Sequence, residues 1–385
     1  MKSKEMPARV LIVAAEASSA QYARQLLKKI RVLHGSTEAF GVGSRAMESD
    51  GFRCLGYAED LAVVGLVEVV KHWSAIKTTY QRILEECEKS RPQVAILMDY
   101  PGFNLRLAKD LKARGIPVVY FISPQVWAWK QGRVHKIKKF VDRMLCVLPF
   151  EPEFYSRFGY KADFVGHPLL DERDSGLLEK EAQALLRSRY GIRPEQRVLG
   201  LMPGSRRGEI KHHLEIQLSV AKSLVEQHSD LQVLLLLAPT VEKDEVTALF
   251  PSDSPPVKIV QADPFVMIAL CDLVLCASGT ATLMVGLMEK PMVIMYRAHP
   301  VTTWVGRRLM KAPFFGLVNL IAGREMVPER LQEQASEREL LNLLDHLLKD
   351  PEAYLTMKAD LKKLPELLGN VGALDRVAGV VGSYL

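Results

Sequence analysis

Asp99 follows an apolar run, Val94–Met98, and opens the segment Asp99-Tyr100-Pro101-Gly102-Phe103-Asn104. A carboxylate at the end of a buried strand can take a proton from a sugar hydroxyl as a general base. It can equally turn or cap the chain ahead of the next helix, and spacing alone leaves both open. Met202-Pro203-Gly204-Ser205-Arg206-Arg207 follows a second apolar run. There a Pro-Gly turn opening a helix exposes the N–H groups around Gly204 and Ser205, and the helix N-terminus favours an anion. Arg206 adds a forked donor suited to phosphate oxygens. The alternative is a surface turn with a solvated arginine pair; position at a strand's carboxyl end favours the anion. Ala277-Ser278-Gly279-Thr280, after Leu273–Cys276, offers small residues and hydroxyls that can cap a helix or donate to phosphate oxygens. A capped helix accounts for that loop by itself, but two such loops in one half of the chain describe a nucleotide-diphosphate site.

Ser123-Pro124-Gln125-Val126-Trp127-Ala128-Trp129-Lys130 places two tryptophans on one loop. They suit stacking on a sugar ring or lining an acyl channel, with a satellite core as the alternative for one of them. Glu16 and Ser18, just past the first apolar run, are candidates for sugar hydroxyls. His167, in Gly166-His167-Pro168, is either a ligand contact or a hinge residue. Two further stretches could meet a membrane. Leu61–Val70 is nearly all apolar around Glu68, for which buried core is the default. Trp304–Phe315 sets Trp304, Phe314 and Phe315 beside Arg307, Arg308 and Lys311, the better interfacial pattern.

These groups need elements to hold them. Apolar β-branched runs at Val10–Ala14, Phe40–Val42, Val94–Asp99, Val118–Ile122 and Met144–Leu148 alternate with helical segments. After a polar break at Asp171–Ser175 the pattern restarts at Val198–Met202, Val233–Leu237, Val257–Val260, Leu273–Cys276 and Met292–Met295. The expectation is α/β, two doubly wound Rossmann-like domains facing a cleft, with ligands outside the strands' carboxyl ends. The domains are placed at 1–172 and 173–355, and residues 356–385 are read as a helical segment packing back on the first.

At 385 residues, 48% hydrophobic and 25% charged, the chain has the composition to fill two ordinary cores. A net charge of +6 suits either plain solubility or attraction to anionic headgroups and phosphorylated substrates. Five scattered cysteines, with no CxxC or Cys/His cluster, argue against a disulfide framework or zinc site and fit a reducing compartment. The first nine residues lack a signal-peptide core, and no apolar stretch is long enough to span a bilayer. Any membrane contact is expected to be peripheral.

In order along nearly the whole chain, the stretches Asp99–Lys109, Ser123–Arg133, Leu148–Tyr155, Val165–Asp171, Met202–Arg206, Ala277–Ala281, Asn319–Glu325 and Pro328–Gln332 resemble the lipid-A-disaccharide synthases. The resemblance implies a GT-B fold and transfer from UDP-2,3-diacylglucosamine to 2,3-diacylglucosamine 1-phosphate, giving a β-1,6-linked disaccharide and UDP. It implies Asp99 and Arg206 as the catalytic pair. Gly204, Ser205, Ser278, Gly279, Thr280, Asn319 and Gln332 would face the UDP-sugar. Glu16, Ser18, Asn104, Ser123, Trp127 and His167 would face the acceptor and its acyl chains. No cofactor, metal or nucleic acid is expected, Arg206 and the helix N-termini neutralising the diphosphate. The implied location is cytoplasmic, on the anionic inner face of the inner membrane.

Three departures stand out. The first loop reads Ala15-Glu16-Ala17-Ser18-Ser19-Ala20, where the family usually has glycines and an aspartate. Met284 stands where a ribose-holding glutamate is usual, and Glu289 is a doubtful substitute. Gly102 stands where some relatives have a second aspartate. These motivate the alternatives of a weakly active or non-catalytic paralogue, or of another GT-B UDP-sugar enzyme such as an epimerase.

Overall fold

The structure is a computed structural model that describes residues 7–61, 73–297 and 313–385. Unit 1 comprises Met1–Asp171 and Leu368–Leu385, and unit 2 comprises Glu172–Leu367. Both stretches considered for the membrane, Leu61–Val70 and Trp304–Phe315, lie almost wholly outside the described residues.

Unit 1 carries β1 (Ala8–Ala14), β2 (Thr37–Gly43), β3 (Arg53–Tyr57), β4 (Val94–Met98), β5 (Val118–Phe121), β6 (Arg143–Cys146) and β7 (Asp163–Phe164). They form one sheet in the order β3-β2-β1-β4-β5-β6-β7, and each neighbouring pair is parallel. β4 and β5 are buried along their whole length, which is why they read as unbroken apolar runs. Unit 2 repeats the plan with β8 (Arg197–Met202), β9 (Leu231–Leu236), β10 (Val257–Val260), β11 (Leu273–Ala277), β12 (Met292–Tyr296) and β13 (Glu329–Leu331). Its order is β10-β9-β8-β11-β12-β13, again all parallel.

Strand order reverses between β1 and β4 in unit 1, and between β8 and β11 in unit 2. Ala14 is in register with Met98, and Met202 with Cys276. Each crevice where a doubly wound sheet binds ligand is therefore flanked by two of the loops singled out in the sequence.

The helix Pro351–Leu361 belongs to unit 2, so residues 356–367 stay there, and the return to unit 1 begins at Leu368. Ala373–Gly382 is a helix whose Leu374, Val377 and Val381 are buried against Ala17–His34. The exit and the return are tied within unit 1. Asp171 accepts from the N–H groups of Gly372 and Leu374. Arg376 donates to the carbonyls of Val165 at 2.8 Å and Val371 at 2.9 Å.

Candidate active site

In unit 1 the chain leaves β4 through Asp99 and Tyr100, both left-handed, with φ of 47° and 44°. Left-handed geometry costs a non-glycine residue about 1–2 kcal/mol, so neighbours must enforce it. Two do. Asn104 Nδ2 donates to the carbonyls of Met98 (3.0 Å) and Asp99 (2.8 Å), and the buried Tyr120 hydroxyl donates to Asp99 O. Pro101 then begins the helix Pro101–Ala113 at a position where its missing N–H is harmless. The result presents the half-buried Asp99 side chain at the switch point on a fixed main chain. Glu16 lies at the neighbouring strand end as N-cap of Ala17–His34, its N–H bonded to Ser19 Oγ at 3.1 Å. Its charge, after burial, helps to raise the Tyr100 hydroxyl, which relates the two loops. Ser18 is exposed.

Several expected acceptor contacts support the wall instead of facing free space. Asn104 is fully buried and its amide N–H groups hold the Asp99 turn. Ser123 is buried, 2.8 Å from the Tyr155 hydroxyl. His167 is buried and its Nδ1 accepts from Leu169 N–H at 3.2 Å. Burial pushes its pKa down to about 4, so it is neutral, and its own N–H reaches Leu368 O. The bonds described for His167 are thus to the backbone on either side of the connection between the units. The tryptophans divide. Trp127 is half-buried, edge-on to Phe150 at 5.0 Å, and donates from Nε1 to Glu151 Oε1 at 3.2 Å. Trp129 is the exposed one, with Lys130 Nζ 4.4 Å and Arg133 5.5 Å from its ring centre.

In unit 2, Arg206 is the N-cap of the helix Arg207–Gln227, and its side chain is more than half exposed. Gly204 has φ of 125°, and a Cβ there would lie 2.7 Å from Glu209 Oε2. Glu209 accepts from Ser205 N–H at 3.2 Å and lies 3.9 Å from Arg206 Nη1. The loop is held from behind by His213. Its Nδ1 sits 2.7 Å from Pro203 O, and its Nε2 accepts from Arg297 N–H at 2.9 Å. Nε2 also lies 3.0 Å from Arg297 O, so the ring bridges the Pro203 turn and residue 297, and burial lowers its pKa. Gln217, one turn on, donates to the carbonyls of Met202 and Leu275, binding the ends of β8 and β11.

The second loop is Ser278-Gly279-Thr280, where Gly279 caps the helix Thr280–Leu287 and both Gly279 and Thr280 are exposed. Ser278 Oγ is committed to Phe315 O at 3.1 Å. Tyr296 spans the space between the loops, its ring 5.4 Å from His213 and 6.3 Å from Phe315. Asn319 is fully buried and bonded on both amide atoms to the backbone of residues 326 and 327 and to Glu329, so it is a support and not a free contact. Glu329 also accepts from Phe315 and Gly316 N–H. Gln332 is half-buried with φ of 54°. Met284 is half-buried one turn into its helix, while Glu289 lies beyond the C-cap at the other end, too far to take its place.

Glu151, Glu209, His213, Tyr296 and Glu329 were not singled out in the sequence. Only Glu209 left a local signal, a glutamate three residues after the N-cap, as in a capping box. Among the described residues no group of three or more His, Cys, Asp or Glu could hold a metal ion, and no helix is long and apolar enough to cross a membrane.

Comparison with known proteins supplies a frame. A family model described as lipid-A-disaccharide synthetase matches residues 10–372. The chain is 38% identical over 379 residues to a lipid-A-disaccharide synthase of Trichlorobacter lovleyi, with 98% of each chain covered. Among solved structures, a UDP-GlcNAc 2-epimerase of Neisseria meningitidis bound to UDP-GlcNAc superposes with a TM-score of 0.62 at 12% identity, covering 97% of this chain and 100% of that one. The glycotransferase of kitacinnamycin superposes at 0.64 and 13% identity, covering 99% and 100%. At such identities the structural matches speak for the fold alone, and that fold is GT-B.

Proposed function

From the premise that this chain belongs to the lipid-A-disaccharide synthetase family and is a glycosyltransferase of lipid A biosynthesis, we propose the following reaction. The donor is UDP-2,3-diacylglucosamine and the acceptor 2,3-diacylglucosamine 1-phosphate. The acceptor's 6-hydroxyl oxygen attacks the donor's anomeric carbon in line. The carbon–oxygen bond to UDP breaks, and the hydroxyl proton passes to Asp99. An α-linked donor thereby gives a β-1,6-linked product in one inversion. The observation that carries this reading is the enforced left-handed turn at Asp99, since strain is retained where a carboxylate must be aimed.

Arg206 is assigned to the diphosphate, whose negative charge peaks as the bond to the sugar breaks. The N–H groups of Gly204, Gly279 and Thr280 and the hydroxyl of Ser205, whose own N–H is bonded to Glu209, complete the anion cradle, and Tyr296 lies between the two loops. Gln332 is assigned to the UDP-sugar as well. Glu16 and Ser18 meet sugar hydroxyls, and the tryptophan loop forms the acceptor wall, with Trp129 its exposed ring. Acylated substrates would be met at the anionic inner face of the inner membrane.

The test is incubation of the protein with both acylated substrates in detergent, following disaccharide and UDP by mass spectrometry. Both products should form together. UDP without disaccharide, or an epimerised UDP-sugar, would favour another GT-B chemistry. Absence of all products from folded protein would favour the non-catalytic reading that Met284 motivates.

A further inference from the structure

Glu151 begins the helix Glu151–Ser156 and is 1% exposed, behind the tryptophan loop at the carboxyl ends of β5 and β6. Both carboxylate oxygens already accept hydrogen bonds. Oε1 takes the indole N–H of Trp127 at 3.2 Å, and Oε2 takes the backbone N–H of Leu148 at 3.0 Å. The Ser123 hydroxyl, 2.8 Å from Tyr155 Oη, supports the carboxylate from the start of the same loop. The indole of Trp127 thus ties the loop to one buried acidic side chain that no other part of the mechanism uses.

We propose that Glu151 is a positioning residue: its buried carboxylate locks the loop Ser123–Lys130 in the shape that receives the acceptor, and a proton on it releases the loop. The inference rests on the assignment of this loop to the acceptor wall. A proton removes the charge and one lone pair of the carboxylate, so the hydrogen bonds from Trp127 and Leu148 lose their charge assistance and weaken. Burial pushes the Glu151 pKa up to about 7, against the pull of the Leu148 and Val147 N–H groups, Ser123 and Trp127. The titratable groups facing it are Tyr155 on its own helix and Cys146 on β6, and burial raises both, so neither is charged near neutrality. The equilibrium between locked and released loop therefore falls near neutrality.

The experiment follows tryptophan emission and near-ultraviolet circular dichroism of the full chain from about pH 5.5 to about 8.5. The chain has four tryptophans, so wild type is compared with Trp127→Phe, and both with Glu151→Gln. Wild type should show a transition near pH 7 that is lost in each variant. In Glu151→Gln, acceptor KM at alkaline pH should rise about tenfold, the scale of one charge-assisted hydrogen bond, with donor KM within about twofold of wild type. A flat wild-type signal across this range overturns the proposal, even if Glu151→Gln fails to fold, and so does a transition that persists in a folded Glu151→Gln. A transition lost in both variants with acceptor KM unchanged supports the lock and instead overturns the assignment of the loop to the acceptor.

Discussion

Between β1 and β4 the chain leaves the sheet through two consecutive left-handed residues, neither of them glycine, while beside β8 and β11 it leaves through Gly204 and Gly279. The first loop is clamped by buried side chains, Asn104 and Tyr120, onto one main-chain carbonyl. The second pair leaves N–H groups and the Arg206 guanidinium toward solvent, steadied from behind by His213 and Gln217. On the function proposed above, one topology serves two purposes. Aiming a single carboxylate calls for a stiff, strained turn, whereas surrounding a diphosphate calls for backbone that a ligand can approach closely.

The sharpest way to break this contrast is Asp99→Asn. Turnover should fall by about 10²–10⁴-fold with UDP affinity and thermal stability near wild type. Wild-type turnover would return Asp99 to the role of a turn residue. Arg206→Ala should depress kcat by about 10²–10³-fold, more than it weakens UDP in the ground state, and Arg206→Lys should recover little. An effect confined to donor KM would mean that Arg206 binds without stabilising the leaving group.

Two glycines probe the loops themselves. Gly204→Ala must displace Glu209 and adopt a φ of 125°, so calorimetry should find UDP about tenfold weaker. Gly102→Ala, or Gly102→Asp, meets nothing within 4 Å and should leave stability and UDP affinity within about twofold. Met284→Glu asks whether the ribose pocket keeps its shape. A hydroxyl donating to a charged acceptor adds at best about 1.5–3 kcal/mol, so UDP should bind about tenfold tighter. Weaker binding would place the ribose elsewhere.

The smallest expected effect lies inside unit 1. His167 is lowered from 6.5 to about 4, so the unfolded chain binds the extra proton, and its contribution is present above pH 6.5 and lost as pH falls through about 4. Glu151 is raised from 4.5 to about 7, so its contribution is present below pH 4.5 and lost as pH rises through about 7. The two oppose each other between about pH 4.5 and 6.5. Thermal midpoints across that window should be nearly level in wild type, falling with pH in His167→Gln and rising in Glu151→Gln. Parallel slopes in the two variants would sink this account.

Central strands were legible because β1, β4, β5, β8 and β11 are buried on both faces. Three of the four edge strands, β3, β7 and β13, were not, being short, half-buried and mixed in character; the fourth, β10, was read from its alternating valines and isoleucine. Asp99 was visible as the residue after a strand, but its left-handed backbone was not, because the enforcing contact from Tyr120 comes from another strand. The supports Glu151, His213, Tyr296 and Glu329 stayed hidden for the same reason. Each acts on a loop tens of residues away or on another element, and no local period records such a contact.

The bonds from Asp171 and Arg376 that close unit 1 have a consequence for how the molecule is made. Unit 2 is an insertion between two pieces of unit 1, and the second piece leaves the ribosome after the whole of unit 2. Until Leu368–Leu385 emerges, Ala17–His34 lacks the helix carrying Leu374, Val377 and Val381, and its apolar flank stays uncovered. Unit 1 is therefore begun before unit 2 and closed after it. During synthesis the nascent chain should pass through a stage with a completed second unit and an open first one, the period when it most needs a chaperone.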